Sequence, residues 1–128
     1  MLTPQNIISI FEEHGLPEYG LTLDFLPTQS LIRKMSERFK IEFAIMFTIN
    51  NGNYYCIYKG TSNSVELPID AKEILLSHTH PNGTIKPSIH DINWLKTAQS
   101  VGSPQIQSVI LPIGKKRVTF NINSPFLK

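Results

Sequence analysis

Along this chain of 128 residues, apolar positions switch between a helical period and a strand period, and the switches mark out the elements. Near the start, Ile7, Ile8, Ile10 and Phe11 form a stripe of helical spacing. Thr3-Pro4 in front of it supplies a cap and a first-turn proline, and Gly15 behind it supplies a stop. His14 in the last turn complements the helix dipole, a structural use that outweighs any ligand role. Leu21, Leu23 and Phe25 alternate briefly as a short strand. A second helix is expected from Thr28 to Phe39, with Leu31, Ile32, Met35 and Phe39 facing inward and Arg33, Lys34, Glu37 and Arg38 on its wet side.

From Ile41 to Ile49 the chain is apolar enough for a central strand buried on both faces. Asn50-Asn51-Gly52 reads as a hairpin turn, with Asn53 to Tyr58 returning as the partner strand. After a turn at Gly60–Asn63, Ser64 to Leu67 is expected as a third short strand, stopped by Pro68. The run Glu73-Ile74-Leu75-Leu76 leads into a further strand, Pro81-Asn82-Gly83 turns the chain, and Ser88 caps a helix with Ile89, Ile92, Leu95 and Ala98 at helical spacing. Gln107 to Leu111 and Arg117 to Asn121 make a last hairpin across Gly114. Tyr54, Tyr55, Tyr58 and Trp94 are core or rim residues that could line a groove. Helices around a mostly antiparallel sheet define an α+β domain over residues 1–128, with a helical portion to about residue 40 and the sheet across residues 41–122.

Composition bounds the function more loosely. A net charge of +2 with scattered basic residues gives no case for nucleic acid. The one basic cluster, Lys115-Lys116-Arg117, follows Gly114 and reads as a solvated hairpin tip. Cys56 is the single cysteine, so no internal disulfide forms, as in a reducing compartment. Neither a secretory signal nor a membrane-crossing apolar run is evident, so a cytoplasmic location is expected, with delivery out of the cell by another route as the alternative.

The chemistry gathers in Ser77 to Asp91. His78 and His80 sit two apart on a strand, so both side chains point to one face and Thr79 to the other. Asp91 falls in the first turn of the following helix, on the end that faces back toward the histidines. Two imidazoles and one carboxylate make the ligand set of a catalytic zinc, which leaves a position for water; a lone cysteine cannot build a thiolate site. Taken singly, Ser88-x-x-Asp91 also fits a capping box, and strand histidines usually bond to their neighbours. The whole pattern in order selects a metal site.

His78-x-His80, seven residues, Ser88, two residues, Asp91 resembles the JAMM motif of JAB/MPN-type zinc metalloproteases. Glu42, at the head of Glu42-Phe43-Ala44-Ile45, resembles the upstream glutamate of that motif, whereas Ile45 stands where relatives often carry glycine. Within the family, Ile41 to Ala44 with Ser77 to Gly83 and Pro87-Ser88 is most similar to JAB-like domains of bacterial polymorphic toxins, and Pro87-Ser88-x-x-Asp91-Ile92 is similar to RadC-type proteins. The resemblance implies an MPN/JAB-like (cytidine-deaminase-like) fold. It also implies Zn²⁺ on His78, His80 and Asp91, Glu42 as general base and Ser88 as oxyanion donor. The implied activity is hydrolysis of peptide or isopeptide bonds in a protein or peptide substrate, plausibly after ubiquitin-like tails. The alternatives are a JAB-like toxin domain delivered to other cells and a non-catalytic MPN-like binding module. Strand addition of a peptide beside the histidine strand is the expected mode of substrate binding.

Overall fold

A computed structural model describes residues 1–49 and 54–127. Its elements, in order, are α1 (Ile7–His14), β1 (Leu21–Leu23), α2 (Gln29–Phe39), β2 (Phe43–Thr48), β3 (Tyr54–Lys59), β4 (Glu73–His80), α3 (Ile89–Ser100), β5 (Ser108–Pro112) and β6 (Val118–Phe120). Among the described residues the strands form one six-stranded sheet in the order β1-β3-β2-β4-β5-β6. Only β4 and β5 run parallel; the other pairs are antiparallel. The α+β class is therefore as expected, with a mixed sheet and helices on both faces.

Alternation along β2 decides what each face holds. Phe43 and Ile45 point to the side covered by α1 and α2, where they pack with Ile7, Phe11, Ile32 and Met35. Ala44 and Met46 point to the opposite side with Leu75, and there Ile92 and Leu95 of α3 meet Ile110 and Phe120. Ile45 is fully buried on the α2 side.

β4 carries a bulge that sequence alternation conceals. Ile45 pairs with Ser77 but Met46 pairs with Leu75, so Leu76 has no partner of its own on β2. The extra residue lets both Leu75 and His78 face α3, three positions apart. Gln105, buried beside the bulge, serves the backbone of Leu75, which lies before the stretch of β4 that β5 pairs: its Oε1 accepts from Leu75 N at 3.0 Å and its Nε2 donates to Leu75 O at 2.7 Å.

Four expectations are corrected. Ser64 to Leu67 is not a strand but an irregular segment, held at its start by Thr61 N donating to Ser64 O at 2.7 Å. The first helix is assigned from Ile7, because Pro4–Asn6 form a turn in which Thr3 Oγ1 and Asn6 Oδ1 accept from each other's backbone N–H. Arg33 is not on a wet face; half-buried, it donates to the carbonyl of Pro112 at the end of β5. β4, finally, is not an edge strand: β2 pairs with it as far as His78 and β5 pairs with His78–His80, so no full-length edge of it is free for a peptide to add to. The expected Asn50-Asn51-Gly52 turn lies outside the described residues.

Candidate metal centre

Three segments converge on the α3 face of the sheet at the C-terminal end of β4. His78 pairs across to Ala44 and Ile110, and His80 to Pro112, which sets both imidazoles on one face as their spacing requires. Thr79, between them, points the other way, and its Oγ1 accepts from Phe43 N at 2.9 Å. That bond ties the start of β2, and with it Glu42, to the histidine strand. Glu42 is fixed further by its own backbone: its N–H donates to Thr61 O and its carbonyl accepts from Gly60 N, both at 2.8 Å.

Asp91 arrives from α3 through a capping box. Its N–H donates to Ser88 Oγ at 3.1 Å and its Oδ2 accepts from Ser88 N at 2.8 Å. The capping and metal explanations of Ser88-x-x-Asp91 are therefore compatible: the cap orients the carboxylate that faces the histidines. His78 Nε2 lies 3.1 Å from Asp91 Oδ1 and His80 Nε2 3.2 Å from Asp91 Oδ2; the two Nε2 atoms are 3.1 Å apart. Donors bound to one tetrahedral divalent ion at bond lengths of about 2.0–2.1 Å stand roughly 3.3 Å apart, close to these spacings. With one ligand atom of Glu42 added, all four lie within 4.8 Å of one another, and the four residues could hold a metal ion.

Hydrogen-bond chemistry supports the same use. The carbonyl of Thr84 is 2.8 Å from His80 Nδ1; a carbonyl only accepts, so Nδ1 carries the proton and Nε2 keeps its lone pair. That lone pair faces an anionic oxygen of Asp91, which is repulsive unless a cation, proton or metal, lies between them. This is the outer-sphere carbonyl that metal-binding histidines commonly use. Among the described residues, two buried polar atoms, Glu42 Oε1 and His78 Nδ1, have no partner, and orphans of this kind mark a site built for something other than stability.

Burial is the main cause that pushes the Glu42 carboxyl up to about 7, with Asp91 adding to it and the two histidines opposing it. Burial also works against Asp91, but His78, His80 and the Ser88 N–H outweigh it and hold the carboxyl well below the usual range. His80 is buried too, which favours its neutral form; the hydrogen bonds to Asp91 and Thr84 and the nearby carboxylates win and raise it.

The centre opens onto a small pocket of about 140 Å³ lined by Glu42, His80, Thr84, Ser88 and Leu127, with Asn63, Asn82 and Lys86 at its sides. Ser88, expected at the site, is thus on the pocket wall. Sequence reasoning missed the Thr84 carbonyl, since a backbone acceptor leaves no trace in side-chain identity. Leu127 likewise escapes the side-chain pattern: its N–H donates to Pro87 O at 3.0 Å and it bridges to Ser88 in parallel. His14 and His90 are exposed and outside the cluster, as is Glu37. Trp94 donates from Nε1 to Pro68 O at 3.2 Å and packs between two of the core clusters. Among the described residues, no helix is long and apolar enough to cross a membrane. No family model matches the chain, and neither a curated protein nor a solved structure matches it.

Proposed function

We propose that this protein is a zinc-dependent hydrolase of peptide or isopeptide bonds, of the JAMM type whose motif its sequence resembles. The observation that carries the reading is the convergence of two imidazoles and one carboxylate at 3.1–3.2 Å, with the buried, unpartnered Glu42 carboxylate beside them. Two nitrogen donors and one oxygen donor suit zinc, and three protein ligands leave one position open. When bound there, zinc acidifies water to a pKa of about 7 and polarises a carbonyl.

The chain's own groups do the remainder. Glu42, whose carboxyl burial raises to about 7 in the metal-free protein, is placed to take a proton from water and to return it to the departing amine nitrogen. Ser88 Oγ accepts from Asp91 N, which leaves its own proton free to donate to a carbonyl oxygen in the pocket as negative charge develops there; one such donor is worth about 3–4 kcal/mol. Thr84 holds His80 in the tautomer that presents Nε2. The pocket, at about 140 Å³, admits a main-chain carbonyl rather than a drug-sized ligand.

Metal analysis with a hydrolysis assay tests this. Glu42→Gln is expected to retain stoichiometric zinc while hydrolysis falls roughly 10²–10⁴-fold, and His78→Ala to lose the zinc. Zinc content indifferent to His78→Ala would overturn the proposal.

A further inference from the structure

Beyond the cation and the proton carriers, a peptidase needs a ledge for the substrate main chain, and β4, an interior strand paired with β2 as far as His78 and with β5 at His78–His80, has no full edge to supply it. One backbone stretch at the pocket is that of Ser88, which lines it, with Pro87 just before. Proline has no N–H, and the Ser88 N–H is committed to Asp91 Oδ2. The ledge therefore presents an acceptor, the Pro87 carbonyl, to any strand laid along it, and Leu127 already meets that acceptor with its N–H at 3.0 Å.

The course of the chain toward this contact is ordered by local chemistry. β6 ends at Phe120, and Ile122 packs against the α3-side core. Asn121 and Ser124 then close a turn in which Asn121 N donates to Ser124 Oγ at 2.9 Å and Ser124 N to Asn121 O at 3.1 Å. Past Pro125 the chain reaches the ledge and Leu127 becomes a wall of the pocket shared with Glu42, His80 and Ser88. A segment serving only as a strap would bury its apolar side chains, but Phe126 and Leu127 remain 39% and 44% exposed. The contact therefore rests on a backbone hydrogen bond more than on apolar burial.

We infer that residues 124–127 occupy the peptide groove of this centre as an intramolecular stand-in for substrate. The groove takes an extended peptide that runs parallel to Pro87–Ser88 and places a leucine-like residue at the pocket mouth. Such a peptide competes with the protein's own segment, so the centre is held closed until a better strand displaces it. The inference rests on the hydrolase reading for the word substrate, but the groove itself can be tested without catalysis.

The test uses the full chain, with Leu127→Pro, which removes the N–H given to Pro87, and Leu127→Asp, which removes the apolar side chain. A fluorescein-labelled peptide with the sequence of residues 122–127 is titrated against each protein by anisotropy, its integrity checked by mass spectrometry, with thermal melts as the folding control. If the segment fills the groove nine-tenths of the time, both variants bind the peptide about tenfold more tightly than the wild type does, and any hydrolysis of extended peptides shows a lower KM with kcat little changed. Equal affinity for all three proteins, or binding to none, overturns the inference. Tighter binding by the variants with no hydrolysis by any protein leaves the groove standing and removes the hydrolase reading. Hydrolysis by all three with unchanged KM and unchanged peptide affinity does the reverse.

Discussion

Glu42 and Asp91 are carboxyls less than 5 Å from the same imidazoles, yet their protons are held oppositely. Asp91 owns three stabilising partners, His78, His80 and the Ser88 N–H, whereas Glu42 Oε1 has none. The folded Glu42 pKa near 7 lies above its ordinary 4.5, so between those pH values the native state binds more protons than the unfolded one and stability falls as pH rises. Over that window the loss is about 3 kcal/mol. The raised His80 acts in the same direction: its contribution is full below its ordinary 6.5 and is lost as pH rises through the folded value. Asp91, lowered from 3.8, contributes above that value and is lost on acidification. Urea denaturation of the chelator-treated protein is therefore expected to give greater stability at pH 5.5 than at pH 8, with much of the slope removed by Glu42→Gln; a flat profile would contradict the burial of an unpaired carboxyl. At Asp91, cap and ligand separate cleanly. Asp91→Asn keeps an acceptor for the Ser88 N–H but loses the anionic donor, so zinc affinity should drop while the helix start survives. Asp91→Ala should lose both, at an added cost of about 1 kcal/mol for the cap, as thermal melts in chelator would report.

Two buried side chains hold elements in the register that the centre needs. Thr79 Oγ1 satisfies the Phe43 N–H at the point where β2 parts from β4. Thr79→Val keeps the shape and removes the acceptor, leaving a buried N–H unpaired at about 1–3 kcal/mol; a fall in thermal midpoint of roughly 4–11 °C is expected for a chain of this length. A change within error would mean that Glu42 is held by its Thr61 and Gly60 bonds alone. Gln105 plays the matching part at the bulge, standing in for a strand opposite Leu75, and Gln105→Met should cost a similar amount. These two residues also show how much the chain discloses in advance. The facing of His78 and His80 was legible because period-2 alternation holds locally from Ser77 to His80, and the Ser88 cap was legible because capping depends on four consecutive residues. The bulge at Leu76 was not, since Leu75-Leu76-Ser77 reads the same with or without an extra residue in register. Ser64 to Leu67 carried strand-like residues, but among the described residues no strand pairs with them. The interior position of β4 depends on a crossover to β5 that local pattern does not encode.

At the scale of the molecule, the centre is buried against the α3-side core, where the His78 ring meets Phe120 edge-on with centroids 6.0 Å apart. Three apolar clusters nevertheless pack α1, α2 and α3 on the sheet through aliphatic and aromatic side chains of their own, which gives the fold a core apart from any metal. This separates the protein from small zinc domains whose folding is the binding of the ion. Chelator-treated protein is accordingly expected to keep its far-UV circular dichroism and a cooperative melt. Zinc then acts as a ligand of the native state alone: at a free concentration one hundred times Kd it adds about 2.7 kcal/mol, which for 128 residues raises the midpoint by roughly 10 °C. The rise should grow from pH 6 to pH 8, since the ligands must be deprotonated to bind. Calcium, which prefers six or more oxygen ligands, should give no rise at all. A zinc-induced shift that survives in His78→Ala, or that calcium reproduces, would place the ion elsewhere on the surface and remove the physical basis for any chemistry at this centre.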